Sequence, residues 1–352
     1  MKRIYFPVLS LFVLVTLLSC HKNSVPYTQS GNWVTMSQLN GPARSEAVSF
    51  VIGNFAYVGT GWDGQNNRYS DFWRYDPVNN IWSQVASMPD SAGGRSSAVG
   101  FASGDKGYVG TGYDGFNYLK DFYELDATSN TWSRKADFLG SARYEAVAFG
   151  LGALGYVGTG WDGSNAMKDF YQYDPATDTW TDIGFSGNKR YGAVTFTNDN
   201  KAYLVTGVNS GVMQYDFWVF DPTSVEAKWT QLRNINNSST EAYDDLYTTI
   251  ARWNGSAFVA GGYAFISTGD NITNNNTTWQ YTFPNATASP DTWTEKTPFE
   301  GPPTTGAVGF SLSSSTGGGG YIGTGRSAPG QAGASDYLRE FYPTQTQNPN
   351  DN

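Results

Sequence analysis

The segment Tyr57-Val58-Gly59-Thr60-Gly61-Trp62-Asp63-Gly64 decides the fold, because it recurs along the chain. Close copies of it occupy Tyr108–Gly115 and Tyr156–Gly163, and shorter copies occupy Tyr203–Gly207, Phe258–Gly262 and Tyr321–Gly325. In the first four units an Asp-aromatic segment and then a Trp follow the copy, and successive Trp residues lie 50, 48 and 49 positions apart. The chain is therefore an array of six similar units.

An arginine stands 13 residues before the Tyr of each of the first four copies and opens a short strand that begins with Ala-Val. The Gly pair, the Asp-aromatic segment and the Trp mark three further strands in each unit. A period near 48 residues with four short strands is typical of a propeller blade. We therefore predict an all-β chain folded as a six-bladed β-propeller of four-stranded antiparallel blades.

The two ends of the array complement each other. The sixth unit lacks the Trp, whereas Trp33 stands 49 residues before Trp82 with no strand set of its own. We expect Asn32–Met36 to supply the outer strand of blade six, which closes the ring and removes an exposed edge. One domain then spans residues 32–343, and 344–352 form a polar tail. Trp293 follows Trp229 by 64 residues, and we assign the extra length to the run Asn271–Thr278.

These motifs resemble the Kelch family, including the propeller of galactose-oxidase-like proteins. The resemblance rests on the Arg, the Tyr-Val-Gly-Thr-Gly segment and the Tyr-Asp-Pro segment with its following Trp, over about Asn32 to Pro343. The chain departs from the family in having Gly-Thr-Gly where Kelch repeats usually have a Gly-Gly doublet. Units five and six also depart, because Asp245 and Thr304 are expected in place of the Arg.

Composition narrows the chemistry. The 352 residues include one His and one Cys, adjacent at His21 and Cys20, so the rest of the chain offers neither for a disulfide, a catalytic triad or a His-ligated metal. Copper oxidation of the galactose-oxidase type is thereby excluded, and we expect no metal and no cofactor. The net charge of −9 argues against nucleic acid as a partner. The spacing of Gly59, Gly61 and Gly64 matches a dinucleotide fingerprint, but a strand instead of a helix follows, so it indicates a turn.

The first residues resemble the leader of a bacterial lipoprotein. Lys2 and Arg3 precede an apolar run of about fifteen residues, which is short for a spanning helix and typical of a signal peptide. The run ends in Leu17-Leu18-Ser19-Cys20, which is similar to a lipobox. The resemblance implies a signal peptide at 1–19, a flexible tether at 20–31 lipidated on Cys20, and attachment to the cell envelope, at the outer membrane or periplasmic face, through that lipid alone. An ordinary secretory signal with an incidental Cys is the alternative.

The repeated arginines are candidate ligand-binding residues, because guanidinium groups around the axis would favour a carboxylate or sulfate ligand. The alternative is that each pairs with an Asp or a carbonyl of its own or a neighbouring blade. These arginines are Arg44, Arg95, Arg143 and Arg190. The residues two positions later vary, as a specific pocket requires, and two of them, Glu46 and Glu145, are the candidate catalytic carboxylates.

Three loops place an aromatic residue beside a carboxylate, which suits a sugar because the ring can stack on its apolar face. The alternative is a turn whose Asp caps its own backbone. A Ca²⁺ site at Asp63, Asn66 and Asn67 lacks an evident set of six to eight oxygens. The candidate glycan-binding pairs are Trp62 with Asp63, Tyr113 with Asp114, and Trp161 with Asp162.

These observations predict a monomeric, lipid-anchored propeller that binds a glycan or an envelope protein and touches the membrane only through its lipid. Catalysis is not the expected role. The alternative is an acid–base sugar enzyme, such as a protein similar to the sialate mutarotases found among bacterial Kelch propellers, although no motif specific to them is present. A purely structural envelope protein without a small ligand is a third possibility. Convergence of Glu46, Glu145 and an Arg in one pocket would favour the enzyme.

Overall fold

The computed structural model describes residues 30–236, 249–271, 273–284, 292–314, 317–327 and 333–351. These residues form strands, turns and loops, with no helix among them. Short strands with alternating buried and partly buried side chains dominate, as in the burial pattern of Val48–Ile52. The leader, the tether and Cys20 lie outside the described residues.

Six four-stranded antiparallel sheets are arranged around one axis, as the repeats predict. Blades one to three consist, from the axis outward, of Val48–Ile52, Phe55–Gly59, Phe72–Asp76 and Ile81–Val85; Val99–Ser103, Lys106–Gly110, Phe122–Asp126 and Thr131–Lys135; and Val147–Leu151, Leu154–Gly158, Phe170–Asp174 and Thr179–Asp182. Blades four to six consist of Val194–Asn198, Lys201–Val205, Trp218–Phe220 and Trp229–Gln231; Ser256–Ala260, Tyr263–Ser267, Thr278–Thr282 and Thr292–Lys296; and Val308–Ser311, Gly320–Gly323, Leu338–Thr346 and Ser30–Thr35. Two small hairpins join Val208–Asn209 to Val212–Met213 and Asp270–Asn271 to Thr273–Asn274.

Aromatic side chains hold neighbouring blades together. In blade one, Phe50 of the innermost strand stacks on Tyr57 of the next strand, with ring centroids 5.4 Å apart and planes 9° apart. Phe50 also packs into blade two at Gly107, where an added Cβ would lie 2.2 Å from its ring. Phe101 makes the same contact with Gly155 in blade three. Each blade thus buries its inner Phe against the small residue of the following blade.

The N-terminal strand closes the ring, which confirms the prediction from the chain ends. Ser30–Thr35 pairs antiparallel with Leu338–Thr346, and Trp33 lies opposite Phe341. Trp33 is fully buried, and its indole N–H donates to the carbonyl of Thr297, just after the outer strand of blade five. In the same way Trp82 of blade one donates to the carbonyl of Ser37, just after the closing strand. The closing strand is therefore bound to both of its neighbours.

Blade five differs from the sequence prediction in its register. Phe258–Gly262 spans the end of the innermost strand and a turn, whereas the true counterpart of Tyr57–Gly61 is Phe265–Gly269. The insertion is also not at Asn271–Thr278, because the connection between the second and third strands is no longer in blade five than in blade one. The extra length instead precedes blade five, between Gln231 and Ser256, partly outside the described residues.

Candidate functional site

A closed circle of backbone hydrogen bonds surrounds one end of the axis. It is formed by the residue two positions before each innermost strand, and the amide of each member donates to the carbonyl of the member in the preceding blade, at 2.7–3.1 Å. All six adopt a left-handed backbone with φ between 51° and 63°. That conformation is costly for residues other than glycine, and such strain concentrates at functional sites. The six are Glu46, Ser97, Glu145, Gly192, Asn254 and Gly306.

The side chains on this circle line a cavity of about 160 Å³, which we call the axial pocket. Ser97 Oγ donates to Glu46 Oε2 at 2.8 Å, and Asn254 Nδ2 donates to Glu145 Oε1 at 3.2 Å. Arg326 Nη2 lies 3.6 Å from Glu46 Oε1. The structure therefore brings the two predicted carboxylates to one pocket and adds an amide, a hydroxyl and a guanidinium group.

Glu145 is the most perturbed group in the axial pocket. Burial and the nearby charge of Glu46 raise its pKa to about 8, although Asn254 and Arg326 act in the opposite direction. Its Oε2 atom is shielded from solvent and has no hydrogen-bond partner among the described residues. At neutral pH Glu145 is thus mostly protonated and able to donate a hydrogen bond into the pocket.

A second ring of equivalent residues forms the mouth around the axial pocket. Each member pairs with the residue that precedes the circle member of its blade, as Trp62 pairs with Ser45. Three neighbouring members are aromatic, one is aliphatic and two carry opposite charges. In blade order they are Trp62, Tyr113, Trp161, Val208, Asp270 and Arg326. The mouth therefore has an aromatic half on blades one to three and a charged side on blades five and six.

The charged side of the mouth contains groups that the sequence did not predict. Asp270 is 4% exposed, accepts a hydrogen bond from Thr305 Oγ1 at 2.6 Å, and has its pKa raised mainly by burial. Arg326 has its guanidinium 5.9 Å from the ring of Trp62. Asn254 escaped prediction because blade five was placed in the wrong register. The Arg two positions before it, Arg252, was the signal that could have located it.

The carboxylates of the three aromatic-carboxylate loops cap their own turns. Asp63 accepts from the amides of Gln65 and Asn67 and from the side chain of Asn67. Asp114 and Asp162 accept from the amides two and three positions later. This geometry matches the structural alternative. A direct role of these carboxylates in ligand binding remains a prediction, as does one for the Ca²⁺ oxygens of the first loop.

The four repeated arginines are fully buried and form ion pairs inside their own blades. Each also donates from Nη1 to the carbonyl of the Thr 16 residues later. This geometry matches the second alternative, in which the arginines stabilise the blades, and ligand binding by them remains a prediction. The pairs and their N–O distances are Arg44–Asp71 at 2.8 Å, Arg95–Asp121 at 2.7 Å, Arg143–Asp169 at 2.5 Å and Arg190–Asp216 at 2.5 Å.

Blade five retains the Arg, contrary to the sequence prediction. Arg252 donates to the carbonyl of Thr268, 16 residues later, as the other four do. Asp245, which was assigned this position, lies outside the described residues. Thr277 replaces the Asp partner, so carbonyls and a hydroxyl surround the guanidinium, and burial lowers its pKa to about 9. In blade six, Thr304 occupies the Arg position, as predicted, and its carbonyl accepts from Gly269.

Below the axial pocket the channel is lined by small residues. Ala47, Ala98 and Ala146 border both the pocket and a second cavity of about 180 Å³. A third cavity of about 290 Å³ lies at the other end and shares lining residues with the second. Side chains able to form charged or directed contacts are thus concentrated at the axial pocket.

Two searches of the described ranges gave negative results. No cluster of three or more His, Cys, Asp or Glu residues there could hold a metal ion. Within the same ranges, no helix has the length and apolar character needed to cross a membrane.

Comparisons with known proteins agree with this architecture. Residues 43–89 match the family profile of the Kelch motif, and residues 97–262 match that of the KLHDC2/KLHL20/DRC7 Kelch-repeats domain. A solved structure described as "Structure of YjhT" superposes with a TM-score of 0.67 at 15% identity, covering 86% of this chain and 95% of that one. At that identity the likeness concerns the fold alone. The comparison with curated proteins gave no significant match.

The ring of six blades around an axial channel defines the class of this protein as a β-propeller. The two profile matches, which begin one residue before Arg44 and end within blade five, identify its repeats as Kelch repeats. The chain is a six-bladed Kelch propeller.

Proposed function

We propose that this propeller is a binding module whose axial pocket takes a sugar. The observation that carries the proposal is the asymmetry of the circle. Six equivalent positions hold two Glu, one Ser, one Asn and two Gly, although the fold asks the same backbone of all six. The lack of sixfold repetition in the side chains is expected of a specific ligand site and not of a purely architectural one.

The chemistry of the axial pocket suits a hydroxyl-rich ligand. Glu46 accepts hydrogen bonds, protonated Glu145 can donate one, and the amide of Asn254 can do both. The aromatic half of the mouth supplies apolar faces next to these groups, which is the usual composition of a small-molecule site. The cavity is concave, so it fits a small ligand better than the flat surface of a protein partner.

The location belongs to the same proposal. Cys20 would carry the lipid that holds the propeller at the cell envelope, where glycans are accessible. This rests on the leader sequence, with its apolar run and its single Cys.

Titration calorimetry with neutral hexoses, N-acetylhexosamines and acidic sugars tests the binding. We expect one sugar class to bind and the variant Glu145→Gln to weaken that binding at least tenfold, because Gln alters both the charge and the hydrogen-bonding pattern. Glu226→Gln, on an exposed loop, is the matched control and should bind as the parent does. If no sugar binds, or if both variants behave alike, the proposal is wrong.

A second candidate function is acid–base catalysis on the bound sugar, such as exchange between its anomers. It is favoured by the convergence of Glu46, Glu145 and Arg326, with a Glu145 pKa close to neutral pH. Exchange of the anomeric signals measured by NMR would show a rate increase that Glu145→Gln abolishes. Tight binding without any acceleration would leave the binding module as the function.

A further inference from the structure

The loop of blade two at the mouth carries two aromatic residues that its counterparts lack. Phe116 is 90% exposed and Tyr118 is 37% exposed. In blade three the corresponding residues are Ser164 and Ala166.

Both loops nevertheless adopt the same turn. The Asp114 carboxylate accepts from the amides two and three positions later, and Asp162 does the same in blade three. Folding of the loop therefore does not require aromatic side chains at positions 116 and 118.

Tyr118 lies across the boundary between blades two and three. Its ring stacks on Tyr144, with centroids 5.5 Å apart and planes 15° apart, and lies 5.4 Å from Tyr113. Gly163 of blade three makes room for it, because an added Cβ there would lie 2.3 Å from Tyr118 Cε2. We call Tyr113, Tyr118 and Tyr144 the tyrosine platform.

The tyrosine platform is continuous with the axial pocket. Tyr144 immediately precedes Glu145 in the chain, and burial together with the charge of Glu145 raises the pKa of its hydroxyl. A ligand seated on Glu145 thus has the platform beside it, with Phe116 projecting into solvent at the loop tip. A nearly fully exposed Phe has an unfavourable free energy in water unless a ligand or partner covers it.

We infer that the blade-two loop is a second sugar subsite and that the ligand is an oligosaccharide of at least two units. This inference rests on the proposed function, since the first unit occupies the axial pocket. The next unit would place an apolar ring face on Tyr118 while Phe116 covers its edge. Rigid aromatic rings lose little conformational freedom on binding, and the hydroxyls of a sugar chain can remain in solvent around them.

The test compares sugar length in the parent and in a loop variant. The variant Phe116→Ser with Tyr118→Ala gives blade two the residues found in blade three, so its turn should form normally. The probes are ladders from one to four units of N-acetylglucosamine, of β-1,4-linked glucose and of α-1,4-linked glucose, measured by calorimetry. Tyr263→Ala, an exposed Tyr in a turn of blade five, is the matched control.

We expect the dimer or a longer probe of one ladder to bind the parent about tenfold more tightly than the single sugar. The loop variant should lose that gain while its affinity for the single sugar stays unchanged. Equal affinity for one and several units in the parent would overturn the second subsite and leave the axial pocket in place. Equal losses for short and long probes in the variant would also overturn it. If no probe of any length binds, the proposed function fails and the subsite fails with it. Capture of a protein partner that needs Phe116 would likewise overturn the oligosaccharide assignment.

Discussion

Replacing Trp33 by Ala should open the weakest point of the ring, because the closing strand is the only one that joins the two ends of the chain within a described blade. Trp33 is fully buried and contacts three aromatic rings. Their centroids lie 5.8, 5.0 and 4.7 Å away, in Phe258, Phe299 and Phe341. Its indole N–H and its backbone amide both donate to groups in or just after blade five.

The expected cost follows from these contacts. Truncation of a buried Trp typically lowers the free energy of unfolding by about 3–5 kcal/mol, including the cavity that is left. Three aromatic pairs, each contributing about 0.5–1.5 kcal/mol beyond burial, place Trp33→Ala in the upper part of that range. Trp132 of blade two, whose side chain is only partly buried, should cost less when truncated.

Guanidinium unfolding at 25 °C, followed by far-UV circular dichroism, measures both free energies. Limited proteolysis provides a second readout, since a released closing strand exposes the edge of Leu338–Thr346. We expect Trp33→Ala to be the less stable variant and to be cleaved first near the chain ends. A loss below about 1 kcal/mol, or a greater loss in Trp132→Ala, would refute the closure argument.

Three further predictions concern charge and anchoring. Asp169→Asn leaves the guanidinium of Arg143 buried without its carboxylate and should cost about 3–5 kcal/mol of unfolding free energy, whereas Thr277→Val beside Arg252 should cost about 1–3; equal losses in denaturant would contradict the structural role of the pair. Because the pKa of Glu145 rises from 4.5 to about 8 on folding, the folded state binds the extra proton, and stability should fall between these pH values by up to about 1.4 kcal/mol per unit. Glu145→Gln should flatten that profile, and unchanged profiles from pH 5 to 8.5 would count against it. Cys20→Ala should move the protein from the membrane fraction to the soluble fraction, and a protein that stays with the membranes would disprove the lipid anchor.

The fold was largely predictable because each blade repeats the same physical solution. The Arg forms the ion pair, the Gly-Thr-Gly segment turns the chain, and the Trp bonds to the preceding blade. Blade five was misplaced because Phe258–Gly262 imitates the Tyr-Val-Gly-Thr-Gly pattern, while its Gly261-Gly262 is an ordinary hairpin turn. Local similarity thus prevailed over the more informative spacing from Arg252.

The site was predictable only in part. Glu46 and Glu145 stand at equivalent positions of regular blades, so their meeting at the axis followed from the repeat. Arg326 could not be located in the same way, because blade six lacks the Arg and has a longer connection between its first two strands. The protonation of Glu145 depends on burial and on the charge of Glu46, which only three-dimensional contacts supply.

The most direct test of the central claim is a crystal structure of the protein soaked with the sugar that binds most tightly. The account predicts sugar density in the axial pocket, with hydroxyls within hydrogen-bond distance of Glu145, Glu46 or Asn254. Density confined to the outer blades or to the opposite end of the channel would contradict it.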